Sequence, residues 1–191
     1  SGSVFVKPAL GGFFKLGSID DNLSPSLEDH IRKLRRGFIW TLDGGVMISK
    51  SDYIGATFSR INKSGSFSNT IFFPGGGSNS FSIDNSETIQ YIGLHYGNMQ
   101  SLGPKRNAFW HTRAGLGLFN YESNFSGNFG QDLNYKESNF GFQLGTGVEV
   151  RLGSGINWVA DIDLLTGNVK VENEKENLSQ IRTSTGLLFR F

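Results

Sequence analysis

RTSTGLLFRF, residues 182–191, alternates without a break. Thr183, Thr185, Leu187, Phe189 and Phe191 share one face of an extended chain, and Arg182, Ser184, Gly186, Leu188 and Arg190 share the other. One side is oily and the other carries two arginines. A strand of a soluble barrel buries its oily side and wets the polar one. A strand of a transmembrane barrel does the reverse. The rest of the chain decides between them.

The same period of two recurs along the chain. Phe38, Trp40, Leu42, Val46 and Ile48 oppose Ile39, Thr41, Asp43, Gly45 and Met47. Trp110, Thr112, Ala114, Leu116 and Leu118 oppose His111, Arg113, Gly115 and Gly117. Phe140, Phe142, Leu144, Thr146, Val148 and Val150 oppose Gly141, Gln143, Gly145, Gly147, Glu149 and Arg151. Trp158, Ala160, Ile162 and Leu164 oppose Asn157, Val159, Asp161 and Asp163. Ile92, Leu94 and Tyr96 oppose Tyr91, Gly93 and His95, and Ile54, Ala56 and Phe58 form another oily face. Near the start, Val4, Val6, Leu10, Phe14 and Leu16 oppose Lys7, Ala9, Gly11, Phe13 and Lys15. Pro8 interrupts that first strand, because it lacks a ladder donor. With the terminal stretch this makes eight strands of about ten residues, the length a tilted transmembrane strand needs.

The connections alternate in length. Residues 17–37, 65–87, 122–138 and 166–178 read as long, polar loops, whereas 50–52 and 152–155 read as tight turns and 98–107 as a medium one. Only SPSLEDHIRKLRR has helical spacing, with Ser24 as N-cap, Pro25 in the first turn and Leu27, Ile31 and Leu34 as a stripe. It reads as a short helix inside the first long loop. Long and short links alternating around an even strand count are the layout of outer-membrane barrels.

Composition supports this reading. The 191 residues suit one domain, 1–191, and a net charge of +1 gives no footprint for nucleic acid. There is no cysteine, so no disulfide and no thiolate metal site. The chain opens on Ser1-Gly2 without a signal peptide, as expected once an export signal has been removed. The 26 glycines are about twice the usual share of roughly 7%. They crowd the polar faces, where a narrow lumen leaves little room for side chains. A solvated strand surface would use Lys, Glu and Thr instead. With both termini on one side of a membrane, Trp110, Trp158 and Phe191 fall at one interface, and Phe38 and Trp40 at the other, as two aromatic girdles.

On these residues the chain resembles the small eight-stranded outer-membrane β-barrels of the OmpA/OmpX kind, as a pattern over essentially its whole length. The resemblance implies an all-β, antiparallel, up-and-down transmembrane barrel in a bacterial outer membrane, with periplasmic termini and extracellular long loops. It also implies that Leu187, Phe189 and Phe191 form the signal read by the barrel-insertion machinery, through strand addition. The departures are Pro8 and the helix in the first loop.

An eight-stranded barrel is just wide enough to be filled by its own side chains. Lys7, Lys15, Arg113, Arg151, Arg182 and Arg190 are expected to meet Asp43, Glu149, Asp161 and Asp163 inside, with His95 and His111 beside them. The expected result is a lumen plugged by charge and a protein with a structural or loop-mediated binding role. The alternatives are a rim-located lipid or peptide hydrolase using His95 and His111, a small-solute pore, and an accessory subunit of a larger outer-membrane machine for nutrient transport or barrel assembly. Ile71, Phe72 and Phe73 in a predicted loop favour the last. The expected partners are outer-membrane lipid and lipopolysaccharide, and other outer-membrane proteins through the long loops. No enzyme is expected. His30 reads as a solvated helix face, and no serine is spaced to act with His111. No cofactor or metal is expected either. Three scattered histidines make no ligand set, and FFPGGGSNS lacks the Lys-Ser/Thr of a phosphate loop. VENEKENL reads as a solvated acidic loop tip.

Overall fold

The computed structural model describes residues 2–17, 25–72, 78–104, 107–127, 133–171 and 174–191. Along the chain they form β1 (Val4–Lys15), α1 (Pro25–Leu34), β2 (Arg36–Met47), β3 (Asp52–Phe72), β4 (Ser78–Ser101), β5 (Ala108–Gly127), β6 (Leu133–Arg151), β7 (Ile156–Val171), β8 (Glu174–Asn177) and β9 (Gln180–Arg190). Each strand from β1 to β7 pairs antiparallel with the next. β9 pairs with both β7 and β1, so eight strands close into a ring. β8 lies outside the ring, hairpinned onto the far end of β7. Closure removes the free edges that would otherwise leave backbone groups unpaired in a hydrocarbon layer.

Both termini and the short turns lie at one end, called here the terminal end. The other is the loop end. Alternation is kept around the ring: Leu10, Phe38, Trp40, Leu94, Leu116, Phe140, Phe142, Leu144, Ile162 and Leu187 point outward as an apolar belt, while the opposite parity is buried inside. β1 runs continuously through Pro8. Its register with β9 pairs Phe5 and Val6, skips Lys7 and Pro8, and resumes at Ala9. Pro8 does have a partner on the other side, Leu42 of β2. The missing donor therefore costs pairing on one side only.

The strands are longer than the expected ten residues. Most of 65–87 and 122–138, and the start of 166–178, is strand rather than loop. β3 and β4 stay paired from Asp52↔Asn98 to Phe72↔Ser78, and β5 and β6 up to Phe125↔Leu133. Serine and asparagine on these segments hid them from a reading based on hydrophobic period. Ile71 and Phe72 are the last residues of β3 rather than a loop, and Phe73 lies outside the described residues. VENEKENL holds β8, and its Leu178 is fully buried. The helix forms as expected, while Ser24 and the side chain of His30 lie outside the described residues.

The lumen explains the glycines. Tyr53 lies over Gly97, His95 over Gly55 and Gly115, Tyr91 over Gly93 and Gly117, and Phe119 over Gly141 and Gly167. Arg113 and Asp163 fill the space a side chain at Gly145 would need. Each of these large inward residues rests on a wall position left bare.

Candidate functional site: the packed lumen and the open rim

Among the described residues, three layers fill the middle of the interior. Nearest the terminal end, Phe5, Met47, Tyr53, Met99, Phe109, Val159 and Leu188 form an apolar layer. Tyr53 meets Phe5 edge-on at 5.3 Å. Toward the loop end a second apolar layer includes Phe13, Ile39, Ile61, Tyr91, Phe119 and Leu165. A charged waist lies between them.

The waist is one connected chain of contacts. His111 Nε2 lies 2.6 Å from Asp161 Oδ1, and Lys7 Nζ donates to Asp161 Oδ2 at 2.5 Å. Lys7 Nζ also lies 2.6 Å from Asp43 Oδ2, which accepts from Arg113 Nη1 at 3.0 Å. Arg113 then closes a two-pronged bond on Asp163, Nε to Oδ1 at 2.8 Å and Nη2 to Oδ2 at 2.5 Å. Gln143 Nε2 donates to the same Oδ1 at 3.2 Å. A guanidinium fork matches a carboxylate in this way and fixes its orientation. Arg182 is buried beside this set, donating to Ser59 Oγ at 2.7 Å and lying 5.7 Å from the Tyr91 ring centroid. His95 contacts Thr57 Oγ1 through Nδ1 at 3.2 Å.

Seven of the eleven expected network residues thus lie together: Lys7, Asp43, His111, Arg113, Asp161, Asp163 and Arg182. The other four do not. Glu149 and Arg190 pair at 2.9 Å in the terminal mouth, where Asn157 also donates to Glu149. Lys15 pairs with Glu176 of β8 in the loop-end mouth. Arg151 is exposed at the end of β6, its guanidinium 5.8 Å from the ring centroid of Phe109 in the terminal layer and away from the waist. Parity along β6 put it on the inner face, but as the last residue of the strand it is exposed. The two apolar layers were not expected. Their members sit at inward positions among glycines and charges, and a face judged by its majority character reads as polar.

Of the aromatics assigned to the girdles, Phe38 and Trp40 lie in the loop-end half of β2, and Trp110 and Trp158 near the terminal ends of β5 and β7. Trp40 packs against Phe58 at 5.0 Å, and Phe38 above it is 90% exposed. Trp110 donates its indole N–H to Thr146 Oγ1 at 2.5 Å. Trp158 faces outward. Phe191 is 80% exposed, and its backbone N–H bonds Val4 O at 2.8 Å.

The loop end is lopsided. β2 and β3 part after Trp40↔Arg60, and β6 and β7 part after Gly141↔Gly167. Between these two splits, β3–β6 continue as a wall, with β3–β4 carrying roughly 40 Å of further ladder at about 3.4 Å per residue. Its outer face is small and polar, with Ser64 beside Ser86 and Asn124, and Ser66 beside Asp84 and Ser126. Its inner face is half-buried and aromatic at Phe67, Phe125 and Tyr135. α1 packs beside β2 and β3 at the first split. At the second, Asn139 Nδ2 donates to Asn168 O at 2.7 Å and ties the two strands where the ladder stops.

A closed ring of eight antiparallel strands, apolar outside and charged and filled within, defines a transmembrane β-barrel. Solved structures of bacterial membrane barrels share this fold. Neisserial surface protein A aligns over 100% of both chains with a TM-score of 0.63 and 14% identity. Ail, the attachment invasion locus protein of Yersinia pestis, seen in complex with the heparin analogue sucrose octasulfate, aligns over 100% of this chain and 97% of its own, with a TM-score of 0.52 and 14% identity. A major outer membrane protein from Thermus thermophilus covers 99% of each chain, with a TM-score of 0.50 and 14% identity. No family model and no curated protein sequence matches the chain. The likeness is therefore one of fold.

Proposed function

We propose that this protein is a non-conducting outer-membrane barrel that acts through its outer surface, with termini in the periplasm and the β3–β6 wall outside the cell. One observation carries the reading. The cavity between the waist and the terminal layer, lined by Lys7, Tyr53, His111 and Arg113 among others, holds about 20 Å³, room for roughly one water. Two apolar layers and a neutralised waist stand in series along the only axis a solute could take. The lumen is then a protein core turned toward a charge network, and its work is to hold the wall rigid. Leu187, Phe189 and Phe191 serve as the insertion signal. The role is structural or adhesive rather than catalytic, since His95 and His111 are both sealed inside.

In planar bilayers the purified barrel gives no steady current. Stable open-channel steps would overturn the closed reading and favour a small-solute pore. Membership of a larger outer-membrane assembly is separated by size in mild detergent: the barrel migrates alone if it works through its surface, and with a fixed companion if it is a subunit.

A further inference from the structure

The first split leaves a groove of about 580 Å³ between α1 and β2 on one side and β3 on the other. Three features meet in it. Lys33 and Arg36 supply positive charge from α1 and the start of β2, with Asp29 the carboxylate among the groove residues. Lys33 Nζ pairs with Asp29 Oδ2 at 2.7 Å, both side chains well exposed, so the pair is easily exchanged for another anion. Lys33 and, more weakly, Arg36 hold the Asp29 carboxyl below its usual range. On the opposite side Asn62, Ser64 and Ser66 point outward along a β3 edge whose pairing with β2 has ended. At the foot stands Phe38, and the column below it runs Trp40 and Leu42 straight into the apolar belt.

Cations on one side, small hydroxyl and amide groups on the other, and an unbroken apolar column at the foot match the headgroup and tail of an amphiphile. We infer that this groove binds the phosphorylated sugar headgroup of a glycolipid in the surrounding outer leaflet, its phosphate on Arg36 and Lys33, its sugar hydroxyls on Asn62, Ser64 and Ser66, and its acyl chains down the Phe38–Trp40–Leu42 column. Arginine forms two-pronged bonds with phosphate. The continuity from groove to belt selects a lipid over a soluble sugar phosphate. The inference rests on the outer-membrane reading, with the loop end in the glycolipid leaflet.

The test uses the folded barrel in phosphatidylcholine vesicles, alone, with lipid A, or with lipid A stripped of its phosphates. The readout is the midpoint temperature of the gel-mobility shift between folded and unfolded forms. Phosphorylated lipid A raises the midpoint by roughly 5 °C, and the stripped lipid does not. Lys33→Gln with Arg36→Gln abolishes that rise and leaves the midpoint in phosphatidylcholine unchanged. Asp29→Asn enlarges the rise, a gain that damaged folding cannot produce. An equal rise with stripped lipid A, or a full rise in the double variant, overturns the site. So does an equal rise with soluble glucosamine bisphosphate, which would make it a sugar-phosphate site without a lipid. Absence of a heat-modifiable band in every vesicle would instead sink the membrane-barrel reading beneath it.

Discussion

Lys7 Nζ and Asp161 Oδ2 lie 2.5 Å apart, although their residues are separated by 154 positions and their strands are not neighbours. β9 runs between them. The contact spans the ring where the β1–β9 register skips Lys7 and Pro8, so a side-chain bond inside the barrel braces the stretch where the ladder on the wall is interrupted.

Lys7→Met leaves Asp43 and Asp161 short of a cation in a buried site. Removing one partner of a buried ion pair costs about 3–5 kcal/mol. Urea unfolding in vesicles should show a loss of that size. Adding Asp161→Asn should recover part of it, with a coupling of about 0.5–3 kcal/mol. Strictly additive losses would mean the two side chains do not brace each other.

The closures stand in series, so breaching one is not enough. Tyr91→Ala with Phe119→Ala empties the loop-end layer and destabilises the barrel by at least about 3 kcal/mol. Single-channel recording should nonetheless stay silent, because the waist and the terminal layer remain. A steady current from this variant alone would show that the loop-end layer is the only barrier.

Gly145→Val places a branched side chain where Arg113 and Asp163 already meet, with Arg113 Nε 2.8 Å from the new Cβ. Overpacking of this kind costs about 1–3 kcal/mol, and disturbing the ion pairs adds to it. Gly153→Ala, in the turn after β6 with open space around it, is the control and should refold normally. Equal refolding yields for both would contradict the packed waist.

Asp52 opens β3 at the terminal turn, beyond the belt. It accepts from Ser49 Oγ at 2.5 Å, Tyr96 Oη at 2.6 Å and Asn98 Nδ2 at 2.8 Å. These bonds hold its carboxyl far below the usual range, the Ser49 bond foremost. A depressed folded-state pKa adds stability above the unfolded value of about 3.9, and that stability fades as pH falls through the folded pKa. The thermal midpoint of Asp52→Asn should therefore fall below the native one at pH 7 and remain below it near pH ~4, where an ordinary carboxylate is half protonated. A difference that vanishes already near pH ~5 would mean the turn does not depend on the ionised group.

Much of the barrel was legible because alternation survives wherever one face meets lipid. Leu42 against Asp43, Ile162 against Asp161 and Asp163, and Leu187 against Arg182 needed no more than parity. The inward glycines could be read as well, since a bare wall position implies something large opposite. The wall of β3–β6 could not. Above the belt both faces meet water, so Ser64, Ser66 and Ser68 carry no hydrophobic period even though Phe67 between them turns inward. The apolar layers were hidden for the opposite reason. Val159 sits in a row with Asn157, Asp161 and Asp163, and nothing in that row marks it as a plug.

Val4 and Phe191 exchange backbone hydrogen bonds at 2.8 and 3.2 Å, so the two ends of this stretch lie side by side. Joined by a short linker, the ring would have no end at that place, and it could be cut open instead at the Ser49–Ser51 turn. Such a permuted chain should refold in vesicles with its waist intact. On the proposed reading of Leu187, Phe189 and Phe191 as the insertion signal, burying them inside a joined chain should leave it stalled in the periplasm in cells. Architecture and the proposed address would then come apart.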